Sequence, residues 1–361
     1  MIGLDMIRNG QAFGGGGIAT RLLANKMNTD CLRPWLDGQT GQGFYTTRDQ
    51  STGKKRNIAC NYTTPAVLLK DEWKYMEKGI IEPVLPRLKV WSMLMGRNLR
   101  YDVPNGMATT VIEEQTEGDA GFATVSMNGL ARSDRDRVEY GLRGFPLPIV
   151  HGEFSIDLRH LAQTRVQGRP FDLTMGRKVT RRVIEKVESM AIGEATTYSY
   201  AGYPMYGLTN HPNRYTKTLT LPTASGWTPR VLVDEVIEML DTLNTDLFNG
   251  PYGMYFSPAW MKYMAMDYSD VYSGETLRSR LGKVADIAFM EKLEFGLQDY
   301  QIIIFQLTDD VIRGVNGMDL RTLQWEEKGG LELCFKVMCI YATQLKTREN
   351  DDLGVIHGTA A

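Results

Sequence analysis

The nine-residue stretch YGLTNHPNR, residues 206–214, concentrates side chains that could do chemistry: His211, Arg214 and two asparagines. A catalytic histidine needs an orienting carboxylate and a nucleophile or substrate within hydrogen-bond reach. The sequence contains no G-x-S-x-G elbow and no cysteine in an activating setting. The pattern therefore favours a polar turn in which Asn210 bonds to its own backbone.

Three other motifs match a functional signature only in part. HGEF, residues 151–154, has the H-x-E spacing of a zinc deaminase, but no P-C-x-x-C segment supplies the remaining ligands. GGGGIA, residues 14–19, follows no apolar strand, which a dinucleotide site requires. STGKKR, residues 51–56, lacks the first glycine and the final hydroxyl residue of a phosphate loop. We predict no catalytic residue, metal or cofactor, and hence no enzyme.

Composition excludes several classes of protein. The 361 residues suffice for about two domains, and 43% hydrophobic with 23% charged residues is typical of a folded, soluble chain. A net charge of −2 indicates neither a strongly basic nucleic-acid binder nor an acidic disordered chain. The apolar runs are too short to span a membrane and the N-terminus lacks the order of a signal peptide, so we expect a cytoplasmic product. All four cysteines are expected to be reduced, and Cys334 and Cys339 to lie on opposite faces of one strand.

Residues 172–193 carry the strongest helix pattern, with Asp172 as N-cap and Gly193 as the C-terminal stop. The predicted apolar stripe comprises Met175, Val179, Val183, Val187 and Met190. The predicted charged face comprises Arg177, Lys178, Arg181, Arg182, Glu185, Lys186 and Glu188. This basic face could meet phosphates, or it could form an ion-paired solvated or interface surface.

The flanking segments indicate an α+β fold with mixed sheets. Residues 63–98 read as amphipathic helix after Thr64, broken by prolines, and a second clean helix begins at Thr228–Pro229. Residues 320–327 and 331–345 read as strands joined by a turn at 328–330, and the second of them is predicted to be buried.

Two long segments bury too little apolar surface to be stable alone. Residues 1–62 form a polar, turn-rich arm after a short helical piece, IATRLLANKM. Residues 100–150 form a long polar hairpin with a charged tip at residues 132–137. Both segments therefore predict contacts with neighbouring copies of the chain.

The order of these parts resembles the major capsid proteins of tailed bacteriophages, the Hong Kong 97 fold shared with encapsulins. Residues 144–214 carry the closest resemblance: a returning PIV strand, a G-R-P-F-D turn, the long helix ending at Gly193-Glu194, and the loop GLTNHP. The resemblance implies that the chain is divided into these segments: arm 1–62, helical lead-in 63–99, extended hairpin loop 100–150, peripheral domain 151–227 with a spine helix at 172–193, axial domain 228–318, and return strands with a C-terminal tail 319–361.

The resemblance implies a structural protein that self-assembles into an icosahedral shell around a double-stranded DNA phage genome. The implied partners are further copies in hexamers and pentamers, scaffold, portal and decoration proteins, and DNA held without sequence specificity, with no membrane and no small-molecule substrate. The implied location is the virion, after assembly in the host bacterial cytoplasm. Candidate subunit contacts are Arg132, Asp134, Arg135, Asp136, Arg137, Arg181, Arg182, Glu185, Asn210 and Arg214.

Two alternatives remain open: an encapsulin nanocompartment holding a cargo enzyme, and a soluble enzyme of unrecognised type using His211 or His151. The chain also departs from one pattern of the family. Some of its shells are cross-linked through a lysine on the extended loop, whereas residues 101–150 contain no lysine. We therefore predict a shell without covalent cross-links.

Overall fold

The computed structural model describes most of the chain and leaves several segments out. The described residues are 35–37, 42–48, 54–60, 68–81, 88–117, 127, 140–167, 173–193, 198–268, 274–284, 287–294, 296–348 and 350–360. The helices are α1 (Lys70–Ile81), α2 (Lys89–Gly96), α3 (Leu158–Val166), α4 (Thr174–Ile192), α5 (Pro229–Thr245), α6 (Met261–Met264) and α7 (Leu277–Val284).

Sixteen strands are seen in these residues, in five sheets. They are β1 (Trp35–Leu36), β2 (Gly43–Arg48), β3 (Lys55–Cys60), β4 (Arg100–Asp102), β5 (Val111–Glu117), β6 (Tyr140–Pro146), β7 (Val150–Asp157), β8 (Tyr198–Tyr200), β9 (Tyr203–Met205), β10 (Tyr215–Leu219), β11 (Tyr252–Phe256), β12 (Ile287–Lys292), β13 (Gln301–Gln306), β14 (Ile312–Glu327), β15 (Glu332–Leu345) and β16 (Val355–Ala360). The α+β fold class is confirmed.

A four-stranded sheet in the order β4-β14-β15-β7 supports the long helix α4. Strands β14 and β15 form a long antiparallel hairpin, and its turn at 328–330 lies where the sequence predicts it. Strand β15 is buried along most of its length, as expected for a strand with apolar residues on both faces. Cys334 and Cys339 are both buried and free, and the unbroken β15–β7 register puts them on opposite faces.

Helix α4 ends as predicted but begins later, and its buried stripe includes the predicted Val183 and Val187 but not Met175. It stops at Gly193, whose φ of 98° is left-handed, and starts at Thr174 after Leu173, with Asp172 outside the described residues. Met175, predicted to be in the core, is 55% exposed, and Gly176 faces Phe154 instead. Small residues occupy this contact because the helix approaches β7 closely: a Cβ on Gly152 would lie 2.7 Å from Cγ1 of Val179.

The described part of residues 63–98 contains two helices, where the sequence suggested one interrupted run from Thr64. Helix α1 begins at Lys70, and the Glu72 carboxylate accepts the backbone N–H of Leu69 at 2.8 Å, which satisfies a donor at the helix start. Thr64 and the prolines lie outside the described residues. Both α1 and α2 pack against α4.

Within the described residues the chain contains two bodies, and the first is the four-stranded sheet with α1, α2 and α4. A five-stranded mixed sheet in the order β10-β16-β13-β11-β12 forms the second body, beside helix α5. Helix α5 begins at Pro229 after Thr228, as predicted. Two of the sheet's strands, β10 and β16, lie outside residues 228–318, the range predicted for the axial domain. Strand β14 runs through residue 318, and its register with β15 shifts on both sides of Met318. The pairing of strands that lie so far apart in the chain cannot be predicted from the local sequence of either strand.

The predicted arm and hairpin are both partly described. Strands β1, β2 and β3 form a small sheet within the arm, where the sequence suggested only turns. Trp35 and Phe44 stack there with ring centroids 5.2 Å apart. The piece IATRLLANKM lies outside the described residues. In the hairpin, β5 pairs antiparallel with β6, whereas β4, also predicted to belong to it, pairs with β14.

Candidate functional site

The loop YGLTNHPNR closes over the C-terminal end of α4. The N–H groups of Leu208 and Thr209 donate to the carbonyls of Ala191 and Ile192 at 3.1 and 2.7 Å. These bonds satisfy carbonyls that a helix end would otherwise leave unpaired. A Cβ on Gly207 would lie 2.3 Å from the backbone N of Gly193, so only glycine fits this crossing.

Asn210 acts within this loop as the sequence suggested. Its Oδ1 accepts the backbone N–H of Gly207 at 2.7 Å. Asn210 was also a candidate subunit contact, but this side-chain oxygen is used inside the subunit. The arrangement fixes the loop in one shape.

His211 is held as a neutral part of the same loop. Its Nδ1 accepts the backbone N–H of Asn213 at 3.2 Å, and its ring packs edge-on against Tyr206. Burial lowers the pKa of His211 to about 4, and the nearby charges of Arg143 and Arg214 act in the same direction. An imidazole in this setting shapes the loop, and no nucleophile contacts it among the described residues. Those residues also contain no group of His, Cys, Asp and Glu side chains that could hold a metal ion.

Three distant parts of the chain meet beside this loop. Arg143, on hairpin strand β6, forms an ion pair with Asp351 at 2.6 Å. Asn213 Nδ2 donates to the backbone carbonyl of Asp351 at 2.8 Å, and Arg214 Nη1 donates to the carbonyl of His211 at 2.7 Å. The returning strand of the hairpin is therefore tied to the loop and to the segment before β16.

The predicted contacts on α4 lie together on its solvent face. Arg181 and Glu185 form an ion pair at 3.3 Å, one helical turn apart, and Arg182 beside them is exposed. The candidate contacts at the hairpin tip, Arg132, Asp134, Arg135, Asp136 and Arg137, lie outside the described residues.

Glu188 has a structural role at the start of α2 that the sequence pattern did not predict. It was assigned to the charged face of α4, but it is 2% exposed. Its Oε1 accepts the backbone N–H groups of Lys89 and Val90 at 3.1 and 2.8 Å, which are the first residues of α2. Helix α2 needs this outside acceptor because the residue before it, Leu88, has no capping oxygen. The sequence signal for this contact is that Leu88, and not a Ser, Thr, Asp or Asn, precedes α2.

The surroundings of Glu188 join the two bodies of the subunit. Burial raises the pKa of Glu188 to about 7, against the opposing effect of the N–H donors and Lys89. Lys89 itself pairs with Glu291 of β12 at 3.2 Å and donates to the carbonyl of Lys292 at 2.7 Å. From β11, the buried hydroxyl of Tyr255 lacks a described partner, and its pKa is raised by burial and then by the charge of Glu188. Glu188 therefore connects α4 to the start of α2, and Lys89 connects α2 to the edge strand β12 of the five-stranded sheet.

The architecture is that of shell-forming capsid proteins, the Hong Kong 97 fold. The chain is similar to a virus-like particle protein from Pyrococcus furiosus, with 14% identity, a TM-score of 0.58, and coverage of 80% of this chain and 99% of that chain. It is also similar to the capsid of Myoviridae phage XM1, with 11% identity, a TM-score of 0.55, and coverage of 70% and 86%. A structure from Microbacterium phage Oxtober96 matches with 11% identity, a TM-score of 0.51, and coverage of 73% and 90%.

Within this fold, the chain belongs to a protein family of unknown function, DUF6260, whose model matches residues 63–358. No curated protein matches the sequence. None of the described helices is long and apolar enough to cross a membrane.

Proposed function

We propose that this chain is the major capsid protein of a tailed bacteriophage, which self-assembles into an icosahedral shell around double-stranded DNA. The observation that carries the proposal is the capsid fold itself, which extends over 70% of the chain in the match to the capsid of Myoviridae phage XM1. In this proposal the four-stranded sheet with α4 is the peripheral domain and the five-stranded sheet is the axial domain. The chain acts structurally, without catalysis, and is assembled in the cytoplasm of a bacterial host.

The hairpin and the arm supply the contacts between subunits. Within the part of the chain that the structure describes, strands β5 and β6 pair only with each other, and a two-stranded ribbon is marginal in water unless it finds another surface. The charged tip suits alternating ion pairs with a neighbour, each contributing about 0–1 kcal/mol at an exposed site. Many weak contacts of this kind permit reversible assembly, in which misplaced subunits can leave.

Electron microscopy of the protein tests this proposal. We expect negative-stain images of the void-volume fraction after size exclusion to contain closed shells or flat hexameric sheets. A protein that remains monomeric after co-expression with neighbouring phage genes, including a scaffold, would contradict it. The variant Arg132→Glu with Arg135→Glu is expected to fold but not to close shells, and normal particles would rule out the tip contact.

A nanocompartment for a cargo protein is the second candidate, favoured by one cavity. A cavity of about 450 Å³ lies between the arm strands and the start of α1. Its lining includes Trp35, Phe44 and Leu69, so it offers apolar groups to a peptide, and the carboxylates of Asp71 and Glu72 beside them are paired with Lys74 and Arg165. Mass spectrometry and nuclease digestion of purified particles separate the candidates, because packaged DNA indicates a virion and one stoichiometric protein indicates cargo.

A further inference from the structure

The solvent face of α4 carries two rows of charge that differ in pairing. One row contains Arg181 and Glu185, which neutralise each other. The other contains Lys178, Arg182 and Lys186, all exposed and spaced by one helical turn. At about 1.5 Å of rise per residue, this second row spans about 12 Å.

Elsewhere the described surface matches many of its cations with carboxylates. The pairs include Lys74–Asp71, Arg100–Asp102, Lys217–Glu238, Arg230–Asp234, Lys283–Glu275, Lys292–Glu294, Lys328–Glu332 and Lys336–Glu153. Lys178, Arg182 and Lys186 have no such partner among the described residues. Like charges one turn apart on a helix repel each other, so this row destabilises the isolated subunit. An external anion would remove that repulsion.

From this contrast we infer that Lys178, Arg182 and Lys186 form a contact row for the phosphate backbone of double-stranded DNA. The inference rests on the proposed shell function, and it implies that this face of α4 points toward the shell interior. Duplex DNA carries one negative charge per about 1.7 Å of its axis, so a 12 Å stretch offers about seven phosphate charges to three cations. Contacts to phosphates alone carry no sequence information, which suits a shell that encloses an entire genome.

A neighbouring subunit is the competing partner, and the charges of the described surface favour it less. Helix α5 has an acidic face on which Asp241 is exposed without an ion pair among the described residues, whereas Asp234 and Glu238 are already paired with Arg230 and Lys217. Using them for the α4 row would break two existing pairs. DNA phosphates have only mobile counterions to release.

The test compares two triple variants that lose the same charge. The first, K178Q/R182Q/K186Q, removes the unpaired row, and the control, K217Q/R230Q/K283Q, removes three cations that have carboxylate partners. The subunit fraction of each full-length protein is titrated against a labelled 25-base-pair duplex by fluorescence anisotropy, between 50 and 200 mM salt. Loss of three phosphate contacts should reduce the slope of log K against log salt by about 2.7 for the first variant. The control should keep the slope of the wild type.

Microscopy of the same preparations separates this inference from the shell proposal. An unchanged slope in the first variant would overturn the DNA contact. Loss of shells with an unchanged slope would overturn it in favour of a contact between copies. A wild-type protein that binds DNA through this row but forms no shell under any condition would uphold the contact and refute the shell function.

Discussion

Replacing Glu188 with glutamine tests whether a buried carboxylate at the junction of the two bodies makes the stability of the subunit depend on pH. Glutamine keeps an oxygen that can accept the N–H groups of Lys89 and Val90, but it carries no charge. The charged and titratable groups that face this position are Lys89 on α2, Glu291 on β12 and Tyr255 on β11. The substitution therefore removes the titration and retains the cap of α2.

The size of the effect follows from the raised pKa. The pKa of Glu188 rises from 4.5 to about 7, and a shift of about 2.5 units at 1.36 kcal/mol each gives about 3 kcal/mol. Because the folded state holds the proton more tightly than the unfolded state, the stabilisation is complete below pH 4.5. It declines as pH rises through about 7 and is absent above that. Relative to wild type, the glutamine variant should therefore gain about 3 kcal/mol of unfolding free energy between pH 4.5 and 8.

Urea unfolding of the full-length subunit, followed by tryptophan fluorescence at several pH values, measures this difference. The control Glu238→Gln alters an exposed ion pair and should change the unfolding free energy by less than about 1 kcal/mol at every pH. Glu188→Ala removes the acceptor as well, and should cost a further ~1 kcal/mol for the uncapped start of α2. Parallel stability curves for wild type and Glu188→Gln across the whole range would refute the reasoning.

Three further predictions concern packing, thiol access and cross-linking. Gly207→Ala should lower the free energy of unfolding by about 1–3 kcal/mol because its Cβ would overlap the backbone at Gly193. The control Gly282→Ala places its Cβ in open space on α7 and should not lower it, so equal melting temperatures of the two variants by circular dichroism would contradict this. Cys339 is buried and its pKa is raised to about 12, so it should resist alkylation at pH 8 until urea is added, and peptide mass mapping that finds native labelling would count against it. Boiled particles should give one SDS-gel band near 40.7 kDa, because residues 101–150 contain no lysine, and a ladder of multimers would show that the shell is cross-linked.

Helix ends and local turns could be predicted from sequence because their causes are local. Gly193 stops α4 through a left-handed conformation that glycine adopts readily, and Pro229 starts α5 through its fixed φ. The turn at 328–330 follows from two adjacent glycines. In each case the residue that decides the structure lies within the element it decides.

The residues that were misplaced depend on contacts from distant parts of the chain. Periodicity assigned Met175 to the core and Glu188 to the surface, and both assignments are wrong. Gly176 replaces Met175 because β7 approaches too closely for a larger side chain, and Glu188 is buried because α2 presents its unpaired N–H groups there. A hydrophobicity pattern records what a residue prefers on average, and it contains neither the distance to another strand nor the needs of another helix.

The position of β16 constrains when the subunit can mature during synthesis. Residues 355–360 insert between β10 and β13, which the ribosome produces roughly 140 and 50 residues earlier. Until then β10 lacks the strand that pairs with it and β13 leaves one edge open, so the emerging chain has a gap between these two strands of the five-stranded sheet. A translation product that stops before residue 355 should therefore remain sensitive to protease while the full chain resists it. We therefore expect late closure of this sheet to leave prematurely terminated chains open to degradation, whereas complete chains close it.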